Sequence, residues 1–170
     1  ARLVRAYSSL RESGSADKLP KLVLVGKCAW LYDETLRALD ETNLKDAVVL
    51  TGYVPETDLP ALYSGAVCFV YPSYFEGFGL PPLEAMKCGA AVIVGNRTSL
   101  PEVVGDAAVA VDPFDIDAIA GAIKKVVNDS ALRKVLSVKG QERAREFNWR
   151  ETARKTLAVY EEIARASTTP

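Results

Sequence analysis

At 170 residues, with 49% apolar and 25% charged residues, the chain has the size and composition of one soluble globular domain with a real core. Lys+Arg at 21 against Asp+Glu at 22 gives a net charge of -1, which leaves no electrostatic footprint for nucleic acid or an anionic membrane. Histidine is absent and no Cys or Asp cluster replaces it, so neither an imidazole base nor a dedicated metal site is expected.

The first periodic segment carries Leu3, Ala6, Tyr7 and Leu10 at helical spacing. A polar stretch over 12–18 reads as a loop. Apolar runs of strand length follow at 21–26, 47–52, 67–71, 90–95 and 107–111, separated by helical patterns at 33–41, 58–63, 80–87 and, briefly, 101–104. The runs are continuous and not alternating, which predicts strands buried on both faces. Strand alternating with helix predicts an α/β, Rossmann-like fold, a doubly wound parallel sheet. After Val111 the pattern is helical only: Asp115 as N-cap for 116–128, a segment over 130–147 expected to break near Gly140, and a capping-box spacing from Asn148 to Glu151 before 152–166.

No linker or repeat interrupts 1–170, so one compact domain with a helical tail from about 115 is expected. The start on a helix is odd for such a fold, which ordinarily begins on a strand. No apolar run approaches the ~18 residues of a membrane span, and no secretory signal is visible. Cys28, Cys68 and Cys88, odd in number and widely spaced, read as reduced packing residues and suggest a cytoplasmic chain. Phe147 and Trp149 read as packing residues of the tail.

The most informative stretch runs from Pro72 to Glu84 (PSYFEGFGLPPLE). It follows a strand, turns on Gly77 and Gly79, and enters a helix at Leu80 with Pro81 and Pro82 in its first turn, where a missing N–H costs little. Ligands of open α/β sheets bind at the carboxyl ends of strands, and a helix start there attracts phosphate. Glu76 and Glu84 flank this turn, and the tilt of helical side chains aims Glu84 back at it. Carboxylates beside an anion-ready helix start suit a ligand with both hydroxyls and phosphates, such as a nucleotide sugar. The plainer alternative is a surface turn with Glu84 on the helix dipole, worth ~0.3–1 kcal/mol without any ligand.

Weaker candidates lie at the ends of other strands. Lys27 is either a phosphate or base contact or a solvated loop lysine. Tyr53 and Val54 could offer backbone to a nucleobase edge or merely turn the chain, and Arg97 is a lesser anion candidate. Ser99 to Glu102 has capping-box spacing, so Glu102 reads as a cap.

Taken together and in order, several segments resemble the C-terminal, donor-binding domain of family-four retaining glycosyltransferases of the GT-B architecture. They are Leu22 to Gly26, Val49 to Val54, Pro72-Ser73, Phe75 to Met86, Gly89, Leu100 to Ala108, Val111 to Pro113 and Phe147 to Trp149. The resemblance implies that Glu76 meets the donor-sugar hydroxyls and helps stabilise charge at the anomeric carbon. Backbone around Gly77, Phe78, Gly79 and Leu80 would meet sugar and diphosphate, Glu84 the ribose, and Val54 with Tyr53 and Lys27 the nucleoside end. It further implies transfer with retention, no resident cofactor or metal, and a nucleotide-diphosphate sugar as donor substrate. The family's first strand, with its diphosphate-clamping Arg and Lys, and its acceptor domain have no counterpart here. Those roles are not carried onto Arg2 or Arg5.

The expectation is therefore the donor half of a glycosyltransferase of surface-glycan or lipid-linked glycan assembly, inactive alone. It would be cytoplasmic or peripheral at the inner membrane face, prone to self-association through an open sheet edge or the last helix. A stand-alone nucleotide-sugar-binding or regulatory module is the alternative; a non-enzymatic interaction domain is a third.

Overall fold

The computed structural model describes residues 1–15, 19–27, 32–44 and 46–167. Cys28 and the last part of the predicted 12–18 loop lie outside the described residues.

In chain order the elements are α1 (Arg2–Leu10), β1 (Leu22–Val25), α2 (Tyr32–Glu41), β2 (Val48–Gly52), α3 (Leu59–Gly65), β3 (Phe69–Tyr71) and α4 (Leu80–Lys87). Then come β4 (Val92–Gly95), α5 (Leu100–Val104), β5 (Val109–Val111), α6 (Ile116–Asn128), α7 (Ser130–Arg145) and α8 (Trp149–Ser167). Among the described residues all strand pairings are parallel. They form two sheets: β1 pairs β2, with Leu22 opposite Val48, and β4 lies between β3 and β5, with Ile93 opposite both Val70 and Val109.

The three-stranded sheet shows why the middle strand is wholly apolar. Successive β4 side chains point to opposite faces. Ile93 enters a cluster with Ala6 and Leu10 of α1 and with Ile119, Ile123 and Val126 of α6. Val92 and Val94 enter another, with Leu83 and Met86 of α4 and Leu100, Val103 and Val104 of α5. Helices therefore cover both faces, as the continuous run predicts.

The two-stranded sheet departs from that prediction. Leu22, Leu24 and Val48 pack under Val4 and Tyr7 of α1 and Ala38 and Leu39 of α2. On the other face Val23 and Val25 are 44% and 45% exposed, and Val49, opposite Val23, is exposed too. Both helices sit on one side, and an apolar run does not reveal whether a second layer is present. α1 contributes to the clusters under both sheets.

Other differences have local causes. Residues Arg11–Ser15 form a wide helical turn where a loop is expected; Ser13 Oγ donates to Leu10 O at 2.8 Å, and Gly14 ends the turn at φ 84°. α7 runs unbroken through Gly140. That glycine is buried against α4, where a Cβ would lie 3.1 Å from Met86 Cγ, so it serves close helix approach and not a break. Trp149 is 77% exposed instead of packed, because it opens α8, whose Leu157, Tyr160 and Ile163 are also exposed. Two caps are as expected: Asp115 Oδ1 accepts from Ala118 N and Asn148 Oδ1 from Glu151 N.

Cys68 is unpaired and packs against the α6 cluster; burial pushes its thiol up to about 11, against a small opposing pull from Arg133. At pH 8 only about a thousandth of such a thiol is thiolate. Cys68 should therefore remain unmodified by a disulfide reagent in the native protein and react at once in denaturant, which a colorimetric thiol time course with mass mapping would show. Among the described residues, no helix is long and apolar enough to cross a membrane.

Candidate functional site

The site is built where β3 delivers the chain to α4. β3 ends at Tyr71, and the loop from Pro72 to Gly79 passes beside the end of β4. At the closest approach a Cβ on Gly95 would fall 2.1 Å from the Ser73 carbonyl oxygen, so only glycine fits there. Gly79 caps α4 at φ 107°, and a Cβ on it would meet Leu100 Cδ2 at 2.6 Å. Both glycines thus bring the turn onto the β4–α5 segment.

The loop after β4 then fixes the backbone of Glu76 at both ends. Glu76 N donates to Thr98 Oγ1 at 3.0 Å, and Ser99 Oγ lies 3.0 Å from the Glu76 carbonyl and 2.9 Å from that of Phe78. Thr98 holds φ 53°, a costly conformation for a β-branched residue and of the kind that clusters at functional sites. The same geometry corrects the reading of Ser99 to Glu102 as a capping box. Ser99 makes no side-chain cap to α5, because its hydroxyl is engaged by the turn.

Both carboxylates of the turn accept from phenols. Tyr71 Oη donates to Glu76 Oε1 at 2.6 Å, and Tyr63 Oη of α3 donates to Glu84 Oε2 at 3.1 Å. The two tyrosines are joined through Phe69, which meets the Tyr63 ring edge-on at 5.1 Å and stacks on Tyr71 at 6.0 Å. Partial burial, then the neighbouring glutamate, pushes each phenol above its ordinary range, so both remain protonated donors. Each carboxylate retains further acceptor positions for a ligand's hydroxyls.

The anion-binding side is more limited than a helix start usually offers. Pro81 and Pro82 carry no N–H, which leaves Leu80 as the donor of that first part of α4. Gly77, Phe78 and Leu80 are exposed along the turn while Gly79 is buried. Phe78 rests edge-on against Phe147 at 5.8 Å, and Arg143 lies 4.9 Å over that ring while donating to the carbonyls of Glu102 and Val103.

Lys27 and Tyr53 meet at the carboxyl ends of β1 and β2, with Lys27 Nζ 4.9 Å from the ring centroid. Val54, half-buried, leads from there into α3, whose Tyr63 reaches Glu84. The nucleoside candidates and the turn are thus linked through one helix. Arg97 is engaged elsewhere, pairing with Asp112 at 3.2 Å. Asp112 also accepts from Phe114 N, and this bond, with Arg97, holds its carboxyl below the usual range. Arg2 and Arg5 line a cleft of ≈ 340 Å³ beside Pro72, Ser73 and Tyr74, but Arg2 lies 4.7 Å over Phe114 and Arg5 pairs with Glu41.

Sequence reasoning missed Tyr63, Tyr71, Thr98 and Ser99. The one available signal was chemical: an aromatic ring with a polar end, set in an apolar run, needs a partner for its hydroxyl.

A family profile described as "Glycosyl transferases group 1" matches residues 1–143. The chain is 42% identical over 139 residues to O-antigen chain mannosyltransferase B of Escherichia coli, covering 82% of this chain and 36% of that protein. It is 37% identical over 166 residues to serotype-specific mannosyltransferase WbdA of Escherichia coli, covering 97% of this chain and 20% of that one. Among solved structures, sucrose-phosphate synthase from Thermosynechococcus elongatus superposes with a TM-score of 0.82 at 28% identity, over 97% of this chain and 42% of that chain. The expected architecture stands: parallel sheets with helices, as in the C-terminal half of GT-B glycosyltransferases, followed by a helical tail. The chain spans between a fifth and about a third of the length of these curated relatives.

Proposed function

The chain belongs to the group 1 glycosyl transferases, and from that membership we propose that it forms the donor-binding half of a longer enzyme. That enzyme transfers a sugar, with retention, from a nucleotide diphosphate to a glycan or lipid-linked acceptor. Relatives named as mannosyltransferases favour a mannosyl donor and surface-polysaccharide assembly. The observation that carries the reading is the turn itself: two carboxylates, each anchored by a phenol with acceptor positions to spare, flanking a glycine turn and a helix start.

In this reading Glu76 receives sugar hydroxyls. Backbone at Gly77, Phe78, Gly79 and Leu80 meets sugar and diphosphate, Glu84 receives the ribose hydroxyls, and Val54, Tyr53 and Lys27 line the nucleoside end. The diphosphate falls to N–H donors, so the reading needs no resident metal or cofactor, and EDTA should leave binding unchanged. The enzyme works in the cytoplasm or at the inner membrane face, where the unpaired Cys68 suits a reducing compartment.

The test is titration of the 170-residue chain with UDP-, GDP- and ADP-sugars by calorimetry or ligand-observed NMR, alongside Glu76→Ala and Glu84→Ala. Weak but selective binding that both variants reduce is expected, with negligible transfer to any acceptor. Unchanged binding in both variants would favour an interaction domain with a coincidental turn. Rapid transfer by the isolated chain would sink the claim that it is only the donor half.

The exposed apolar residues of α8 and of the open face of β1–β2 carry a separate prediction. In sedimentation velocity the isolated chain should gain mass with concentration, and Leu157→Glu with Ile163→Glu should restore a monomer.

A further inference from the structure

Glu76 is held more tightly than its position in a loop suggests. Its N–H and C=O are both bonded by the Thr98–Ser99 segment, so the remaining freedom lies in its side-chain torsions. The Tyr71 hydroxyl, 2.6 Å from Oε1, removes that freedom too. Tyr71 is itself fixed, as the last residue of β3, with its ring stacked on Phe69 and that ring set against Tyr63. Tyr71 and Glu76 are five positions apart, so the bond closes across the loop that forms the site's rim.

Resting on the reading of Glu76 as the sugar-binding carboxylate, we propose that Tyr71 is a positioning residue of the sugar subsite, holding Glu76 in the orientation that receives the donor's sugar hydroxyls. It thereby sets the preference for a nucleotide sugar over the bare nucleotide. Tyr63 holds Glu84 in the same manner but at the ribose, which both ligands share. The two phenols therefore have different signatures. Loss of the Tyr71 hydroxyl affects only the ligand with a sugar; loss of the Tyr63 hydroxyl affects both.

The experiment compares GDP-mannose with GDP, UDP-glucose with UDP, and ADP-glucose with ADP by ligand-observed NMR on the 170-residue chain. The proteins are the wild type, Tyr71→Phe, Tyr63→Phe, Glu76→Ala and the Tyr71→Phe/Glu76→Ala double variant. For the pair that binds, Tyr71→Phe should lower sugar-nucleotide affinity about three- to tenfold and leave the nucleotide within about twofold. Tyr63→Phe should lower both. Adding Tyr71→Phe to Glu76→Ala should change nothing further, because the hydroxyl acts through the carboxylate.

Phenylalanine keeps the ring stacking, so Tyr71→Phe should melt within about 2 °C of the wild type. A larger drop, or an equal loss for sugar nucleotide and nucleotide, would show that the phenol merely closes the loop and would overturn the proposal. So would an unchanged ratio in Tyr71→Phe when Glu76→Ala shifts it. If Glu76→Ala itself leaves the ratio unchanged, or the wild type binds no pair, the sugar reading of Glu76 falls first and this proposal falls with it.

Discussion

Gly95→Ala is expected to destabilise the protein by about 4 kcal/mol or more, a loss reserved for severe overpacking. The added methyl would lie 2.1 Å from the Ser73 carbonyl oxygen and 3.5 Å from Pro113 Cβ. Backbone, unlike the end of a long side chain, has little room to yield here. Gly95 pairs with Val111 in β5 and follows three fully buried residues of β4, so moving it shifts the centre of the sheet. For a chain of this size the melting temperature should fall by about 8–16 °C.

Gly121→Ala is the matched control: Gly121 lies exposed in α6 with nothing within 4 Å of an added Cβ. There the same substitution should stabilise by about 0.5–1 kcal/mol, since alanine loses less backbone entropy in a helix. Thermal melts of the two variants should move in opposite directions. A Gly95→Ala protein melting with the wild type would show that β3 and β4 do not approach as described.

Glu84→Ala should have the largest effect on binding. In the reading above its carboxylate receives both ribose hydroxyls, and hydrogen bonds to a charged group are worth about 1.5–3 kcal/mol. The loss should be at least about ten- to a hundredfold, the worth of one such bond, and equal for a nucleotide sugar and its free nucleotide. Stability should barely change, because Glu84 is exposed and the freed Tyr63 hydroxyl, itself only half-buried, can turn to water. Isothermal titration with both ligands separates this outcome from a general collapse of the site. A loss confined to the sugar nucleotide would move Glu84 from the ribose to the sugar.

Elements whose identity depends on neighbours in sequence were legible. The helix over 80–87 was bounded by a glycine turn before it, marked by two prolines in its first turn and closed by Gly89 after it, and α4 has those bounds. Asp115 and Asn148 were recognisable because a cap acts three residues away. What escaped depends on contacts between distant segments. Thr98 and Ser99 reach Glu76 across 22 and 23 residues, and Tyr63 reaches Glu84 across 21, leaving no periodic trace. Local spacing made Ser99 a cap when a stronger use for its hydroxyl lay on the loop that follows β3. The apolar run at 21–26 was likewise silent on whether one or two layers cover it.

α1 lies against both sheets, giving Ala6 and Leu10 to one cluster and Val4 and Tyr7 to the other. A helix so shared transmits unfolding: it does not peel from one wall without baring the other. The cooperativity of the molecule is then set at its amino-terminal helix and not at the centre of either sheet. Amide protons of β1 and β2 should exchange with the same opening energy as those of α1, while β4, enclosed by α4, α5 and α6 as well, exchanges through a rarer, larger opening.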